Sequence, residues 1–410
     1  MVREKFSNFG VEMKKVHHIV TLLMALVLVL STFMGQAQTP ISLNEAVNKA
    51  ISYYPTIKAA KMDVTSAQVA KNAAWDYGET EFSVSAEEIG RGNKPTWKLL
   101  TVRQNFDLLG KKQYRNYHGQ REVMSKANVD LAELDLKREV SVDYATAYVA
   151  FLRLHVYEHI DSLCREFQRA AKLRYDTQET SRLEYVSATN QVQQAALNVQ
   201  KAKHDCEIAV DNLNRWIGPD ANFVPDESLQ QLLPTVATGV GTHPSVALAQ
   251  EKVKLSESEI ELEKSEYRPK FYAEYSAQMV DGKAGYHAFQ VGVSVPIFSA
   301  KSSKEKMAQI NRDVAKQEMI AQEIETNNAR NTLAATADKW WQSVSYYRTT
   351  ALPVAQEQKK AAWLAYSEGA SEYVDFIQNL NETTQVELDY LDAFAEYLQA
   401  RLQLDYYITK

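Results

Sequence analysis

The sequence predicts a mainly α fold with a small β part, made by duplicating one unit: opening helix, β-hairpin, very long helix, returning helix. Three observations point there. Two stretches alternate apolar and polar residues with the period of a strand. Each is followed by a helical pattern far longer than an ordinary domain holds. Shifting the chain by about 190 positions superposes the halves: Pro55 falls on Pro244, Ile57 on Val246, Ala60 on Ala249, Val64 on Val253 and Phe82 on Phe271. With one residue of slip Lys111 falls on Lys301, and with one more Glu184-Tyr185-Val186 falls on Asp375-Phe376-Ile377, Asn190 on Asn381 and Leu213 on Leu404. The chain therefore divides into a leader (1–37), a first repeat (38–217), an inter-repeat linker (218–242) and a second repeat (243–410).

The 410 residues are 45% hydrophobic and 24% charged, ample for a core, and only 14 Gly and 10 Pro interrupt them, which suits long helices. The leader reads as a signal peptide. Lys14 and Lys15 precede an apolar run from Ile19 to Leu30, and Gly35-Gln36-Ala37 supplies the small residues of a cleavage site. Met13 is the expected start of translation, with residues 1–12 upstream of it. Removing 1–37 takes away four Lys or Arg and two Glu, which moves the net charge from −6 to −8. No Cys follows the cut, so no lipid anchor is indicated. The apolar run is too short for a membrane helix, and no other run is long enough, so any crossing must be made by strands.

In chain order, residues 42–78 read as a helix capped by Ser42, interrupted at Pro55 and ended at Gly78. A hairpin over about 80–107 follows, with its turn in Gly90-Arg91-Gly92-Asn93-Lys94-Pro95. From Lys111 to about Tyr175 the pattern is helical throughout. Val140, Tyr144, Ala147, Phe151 and Leu154 recur at steps of four and three, the seam of a coiled coil; such a helix is about 100 Å long. After a break at Asp176-Thr177-Gln178-Glu179-Thr180 a return helix carries Val192, Ala195, Val199, Ala202, Cys206, Ala209, Leu213 and Trp216 on one seam. Cys164 and Cys206 are expected unpaired, because helices meeting near Gln178 would leave them roughly 20 Å apart in height.

The second repeat opens with a helix from about His243 to Tyr267. Its hairpin, 269–297, is the clearest in the chain. Phe271, Ala273, Tyr275, Ala277 and Met279 alternate with polar residues, as do Phe289, Val291, Val293 and Val295, and each arm approaches the ~9–11 residues that a tilted strand needs to cross a bilayer. The second rod runs from Lys301 to about Tyr366, with Pro353 predicting a kink that Ser162 does not impose on the first. After Ser367-Glu368-Gly369-Ala370-Ser371, which has a glycine the first break lacks, the return helix repeats the seam through Thr383, Val386, Tyr390, Ala393, Tyr397, Ala400, Leu404 and Tyr407.

Two hairpins supply four strands, too few to close a barrel, and an open sheet edge cannot face lipid. Several chains must share one barrel. Three would give twelve strands, within the range of outer-membrane barrels, and the rods would line a hollow extension beneath it.

The order of these features resembles the TolC-type outer-membrane efflux proteins over essentially the whole mature chain. The residues that carry the resemblance are the Leu43-x-x-Ala46-x-x-x-Ala50-x-x-x-x-Pro55 opening, the duplicated hairpin-and-rod unit, and the junctions Phe106-Asp107-Leu108-Leu109-Gly110-Lys111 and Val295-Pro296-Ile297-Phe298-Ser299. Ser371-Glu372-Tyr373-Val374-Asp375-Phe376 completes the set. Leu109-Gly110-Lys111-Lys112 is similar to the heavy-metal efflux branch. The resemblance implies a homotrimeric duct with strands in outer-membrane lipid of a Gram-negative bacterium and helices in the periplasm, forming an α-barrel under a shared twelve-strand β-barrel. It implies docking to a periplasmic adaptor and an inner-membrane pump of the RND type, and neither cofactor nor enzyme activity. It also implies a gate at the periplasmic tip: Asp375 matches the first acidic position, Gln378 stands where a second Asp is often found, and Glu372 lies beside them. Gln178, Glu179, Thr180, Gly369, Ala370 and Ser371 are then the candidates for adaptor contact.

Other signals are weaker. His155-Val156-Tyr157-Glu158-His159 matches H-x-x-E-H, a zinc-peptidase pattern, but in mid-rod with no cleft it reads as a chance match. Trp97 and Tyr286, beside strand turns, are candidate lipid-interface anchors. No phosphate loop, nucleophile elbow or basic stripe for nucleic acid appears. The alternative reading is a periplasmic adaptor or structural coiled coil without a pore, which would not need bilayer-length hairpins.

Overall fold

The computed structural model describes residues 39–73, 78–87, 97–226, 241–280, 282–295 and 301–408. The signal segment, the Gly90–Pro95 turn, the linker beyond residue 226 up to 240 and the Pro296–Ser299 junction lie outside them. The elements are β1 (Thr39–Ile41), α1 (Leu43–Tyr53), α2 (Pro55–Asn72), β2 (Thr80–Glu87), β3 (Trp97–Phe106), α3 (Lys111–Asp176), α4 (Arg182–Ile217) and β4 (Phe223–Pro225). The second repeat gives α5 (Pro244–Ser265), β5 (Lys270–Val280), β6 (Lys283–Ser294), α6 (Lys301–Tyr346), α7 (Leu352–Ser367) and α8 (Tyr373–Tyr407).

The opening helix is two helices rather than one. Ser42 and Glu45 form a capping box at the start of α1, and Tyr54, in extended backbone, breaks the chain so that Pro55 restarts it at the first helical position. The helix α2 stops well before Gly78. That glycine has φ +99° and lies against the Asn105 carbonyl, where a side chain would collide.

The 66-residue α3 is one uninterrupted rod, about 100 Å at 1.5 Å per residue. It packs along α4, α5, α2 and α8. Its counterpart is divided: between α6 and α7 the turn Tyr347–Ala351 is a π-helix, in which Leu352 N–H bonds to the Tyr347 carbonyl. Pro353 explains it, since a proline has no N–H to close the ladder and its ring crowds the preceding turn. The sequence kink thus takes the form of one wide turn. On α4 the residues Ala188, Ala195, Ala202, Cys206, Ala209 and Leu213 are buried, and on α8 Thr383, Ala393, Tyr397, Ala400 and Leu404, the small side chains letting backbones approach. Leu391, Leu398 and Leu402, off that seam, are buried too, so α8 is covered on more than one side. Cys164 and Cys206 are both free and buried, and burial raises the Cys164 thiol to about 11.

Four strands form one sheet in the order β2-β3-β5-β6, antiparallel throughout. The register sorts the side chains by face. Arg103 lies opposite both Glu81 and Glu274, Thr101 opposite Ser276, and Glu274 opposite Gln290. Arg103 bonds Glu274 at 2.6 Å and approaches Glu81 at 3.7 Å, and Thr101 and Ser276 meet at 3.0 Å. The other face carries Phe82, Val84, Leu100, Phe289, Val291 and Val293, all exposed. The same register puts Trp97 opposite Glu87 and Tyr286 opposite Gln278, on the face shared with Arg103 and Glu274 and not on the apolar one expected of anchors. Tyr275 and His287 occupy the apolar face near the turn, with Tyr275 Oη 2.7 Å from His287 Nδ1.

Where sheet meets rods, Arg268 bonds the Leu109 carbonyl and Lys270 bridges Asp107 and Glu266 at 3.3 and 3.2 Å, tying the two repeats. At mid-height the main core gathers Ile41, Val47, Ile57, Val140, Tyr144, Tyr148, Leu213, Tyr397 and Leu398. The segment expected only to link the repeats contributes to it. Its strand β4 pairs in parallel with β1, and Asn214 holds Phe223 by two side-chain-to-backbone bonds of 3.0 Å.

Candidate functional site at the helical tips

The residues singled out as gate and contact candidates lie at the two turns where each rod reverses. Both turns have the same backbone, residue for residue at a spacing of 191. Thr177 N–H bonds the Leu173 carbonyl as Glu368 N–H bonds that of Leu364. Glu179 and Thr180 both donate to Arg174, as Ala370 and Ser371 both donate to Ala365. The position between is left-handed in each: Gly369 has φ +74° and Gln178 has φ +64°. The missing glycine of the first break therefore does not alter the turn; Gln178 adopts the glycine conformation at a steric cost. This is the helix-terminating arrangement that satisfies the last carbonyls.

The acids that open the return helices are also repeat-mates. Glu184 follows the Ser181 cap of α4, and Asp375 follows the Glu372 cap of α8, each in the first turn, where a carboxylate suits the positive end of the helix. Their surroundings differ. Glu184 accepts hydrogen bonds from Thr180 Oγ1 and from Tyr366 Oη, the latter at 2.7 Å, with Arg174 Nη1 at 3.8 Å. Among the described residues no hydrogen bond reaches the Asp375 carboxylate, which is exposed, and the Ser371 hydroxyl, mate of Thr180, is buried without a partner. Gln378 and Glu372 are exposed as well, Gln378 donating to Glu382 at 2.9 Å.

Tyr366 connects the two tips. It lies on α7 yet reaches Glu184 on α4, with the Arg174 guanidinium 5.4 Å above its ring. Burial, then the bond to Glu184, raises its phenol well above the usual tyrosine value. Around it Phe167, Phe376, Trp363 and Tyr373 form an aromatic cluster, Phe167 centred 5.0 Å from Tyr366 and 5.1 Å from Phe376. Sequence reasoning missed the Tyr366–Glu184–Arg174 group. The repeat alignment that set Glu184 on Asp375 already marked the position; what it did not show was a tyrosine from the other rod.

The H-x-x-E-H residues lie on α3. His155 Nδ1 lies 3.2 Å from Glu158, and among the described residues no group of three or more His, Cys, Asp or Glu is placed to hold a metal.

No protein-family model matches the sequence, and comparison with curated proteins finds no match. Solved structures do match. A membrane protein from Pseudomonas aeruginosa superposes with TM-score 0.74 at 17% identity, covering 90% of this chain and 93% of that one. CusC, solved in conformations accompanying folding and transmembrane channel formation, gives 0.71 at 15%, covering 91% and 94%. The CmeC outer membrane channel of Campylobacter jejuni gives 0.74 at 13%, covering 89% and 85%. From its cap-broken opening helix to its last return helix, this chain has the TolC-type outer-membrane channel fold.

Proposed function

We propose that this protein is one third of a passive outer-membrane duct: a trimer whose strands close a shared barrel in the membrane and whose rods continue it through the periplasm. The observation that carries this reading is the sheet. Among the described residues its edges β2 and β6 are unpaired, its apolar face is exposed, and no helix is long and apolar enough to cross a membrane. Strand directions alternate across the four strands, so β6 of one copy can pair with β2 of the next without breaking the antiparallel order. Three copies close twelve strands and leave no edge in lipid. The Arg103–Glu274 face then lines the lumen and the Phe82–Phe289 face meets the acyl chains.

The tips are the proposed gate and docking end. The segment 364–378 carries Glu368, Glu372 and Asp375 and no Lys or Arg; three copies around a narrow opening concentrate negative potential and favour cations. Gln178, Glu179, Thr180, Gly369, Ala370 and Ser371, at the extreme of the rods, are the surface offered to a periplasmic adaptor, beyond which an inner-membrane pump of the RND type supplies the cargo, small molecules or metal ions. The fold favours a channel over a pore-free adaptor, because β3, β5 and β6, at 10–12 residues, are long enough for tilted strands to cross a bilayer. The test is membrane fractionation followed by planar-bilayer recording. The protein should require detergent for extraction and then conduct with a cation preference; extraction by salt or carbonate alone, with no conductance, overturns the reading.

A further inference from the structure

The two rods differ at one height, and a cavity lies there. At the repeat spacing of 191, the π turn Tyr347–Ala351 corresponds to Val156–Ile160 of α3, which is regular helix. At this height α3, the π turn and α8 come together, and a wide turn departs from the regular ridges and grooves that close helix packing uses. Between them is a cavity of about 510 Å³, within the size range of small-molecule sites.

Its lining combines apolar and basic side chains. Trp341, Leu352, Leu391 and Phe394 line it, and Tyr390 is stacked with Phe394 at 5.9 Å. Arg348, from the π turn itself, lines it as well, as do His155 and His159, the two histidines of the H-x-x-E-H match. Among the described residues Arg348 makes no ion pair. Glu387 is the carboxylate of the lining, and Lys359 neutralises it at 2.7 Å.

We propose that this cavity binds an organic anion with an aromatic body, a carboxylate or sulfonate whose ring lies against Trp341 and Phe394 and whose charge meets the Arg348 guanidinium. The fork of an arginine suits a planar carboxylate, and the aromatic side chains of the lining suit a ring. All the lining residues come from one chain.

The test uses the full-length protein held in amphipol, with 2-naphthoate as probe and 2-naphthamide as its neutral counterpart, followed by titration calorimetry. Naphthoate should bind saturably, and about tenfold more tightly than the amide, as loss of a charge-assisted bond predicts. Arg348→Gln should remove that preference while leaving amide binding unchanged, and Arg330→Gln, elsewhere on the rod, should alter neither. Leu352→Trp, which fills the cavity, should abolish both; should it melt early, Arg348→Gln alone decides. No saturable naphthoate binding, equal binding of acid and amide, or a naphthoate affinity untouched by Arg348→Gln overturns the proposal.

Discussion

The two helical tips share a backbone and differ in nearly everything else. Hydrogen bonds, the left-handed position and the acid in the first turn of the return helix coincide residue by residue. Yet the first tip spends its acid, Glu184, on Tyr366 of the other tip, and the second leaves Asp375 exposed. The aromatic pair one turn inward diverges in the same way. Tyr366 and Phe376 are buried, at 1% and 3% exposure, whereas their mates Tyr175 and Tyr185 stack at 5.9 Å on the outside, Tyr175 being 37% exposed. Duplication preserved what the chain needs to turn, because unsatisfied helix-end carbonyls are costly in either copy. It left side chains free to differ, the first tip tied to the other through Glu184 and the second leaving Asp375 exposed.

The largest effect that separates the tips is truncation of the inner aromatic. Phe376→Ala should destabilise the protein by about 3–5 kcal/mol, and its mate Tyr185→Ala by no more than about 1 kcal/mol; calorimetric melting of the two variants measures the gap. Equal losses would mean that both tips are packed alike.

Next comes the tether. Tyr366→Phe and Glu184→Gln should each cost about 1–3 kcal/mol and should add less than fully in the double variant, since they share the Tyr366–Glu184 bond. Burial of Tyr366, together with this bond, also sets a pH dependence. Tyr366 has its folded value raised, so the folded tip holds the phenolic proton more firmly than the unfolded chain does. That contribution is complete below about pH 10, the ordinary tyrosine value, and is lost as pH rises past it. Melting between pH 9 and 11 should therefore fall more steeply in the parent than in Tyr366→Phe.

The turn residue gives a smaller, signed pair. Gln178→Gly should stabilise by about 1 kcal/mol and Gly369→Gln should destabilise by about 1–2 kcal/mol, both through the left-handed position; denaturant midpoints of the two variants check the signs. Smallest in stability, and distinct in function, is Asp375→Asn. It should leave melting within about 0.5 kcal/mol while shifting the bilayer reversal potential toward neutrality, and Glu184→Gln should do the reverse. An unchanged potential removes Asp375 from the proposed gate.

Much of this was legible in the sequence, for identifiable reasons. Strict alternation in Phe271–Met279 fixes a strand because its period is two, and the Ala195–Leu213 seam fixes a buried helix face because its period is near three and a half. Pro353 announced a disturbance in one rod only. The sequence could not show that this disturbance is a wide turn, since proline alone fixes only that the ladder is broken, and the wide turn forms where the rod meets α8. The β1–β4 ladder was hidden because three-residue strands carry no period. Trp97 and Tyr286 looked like lipid anchors from their place beside turns, but register, a tertiary property, assigns their face. The resemblance pointed to Asp375 and its neighbours as gate candidates, and it did not point to the Tyr366–Glu184 tether, because residues 182 positions apart meet only through the coil.

The central claim is that one copy is an incomplete sheet closed by its twins, and edge-to-edge cross-linking tests it most directly. With Cys164 and Cys206 replaced by Ala, one cysteine is placed at Val84 on β2 and a second at Phe289, Val291 or Val293 on β6, and the membrane-extracted protein is oxidised. A disulfide needs Cα atoms within about 7 Å. The account predicts that at least one register yields a covalent species of three chains, ending there with no longer ladder; protein that stays a single chain in every register, with its strands intact, would contradict it.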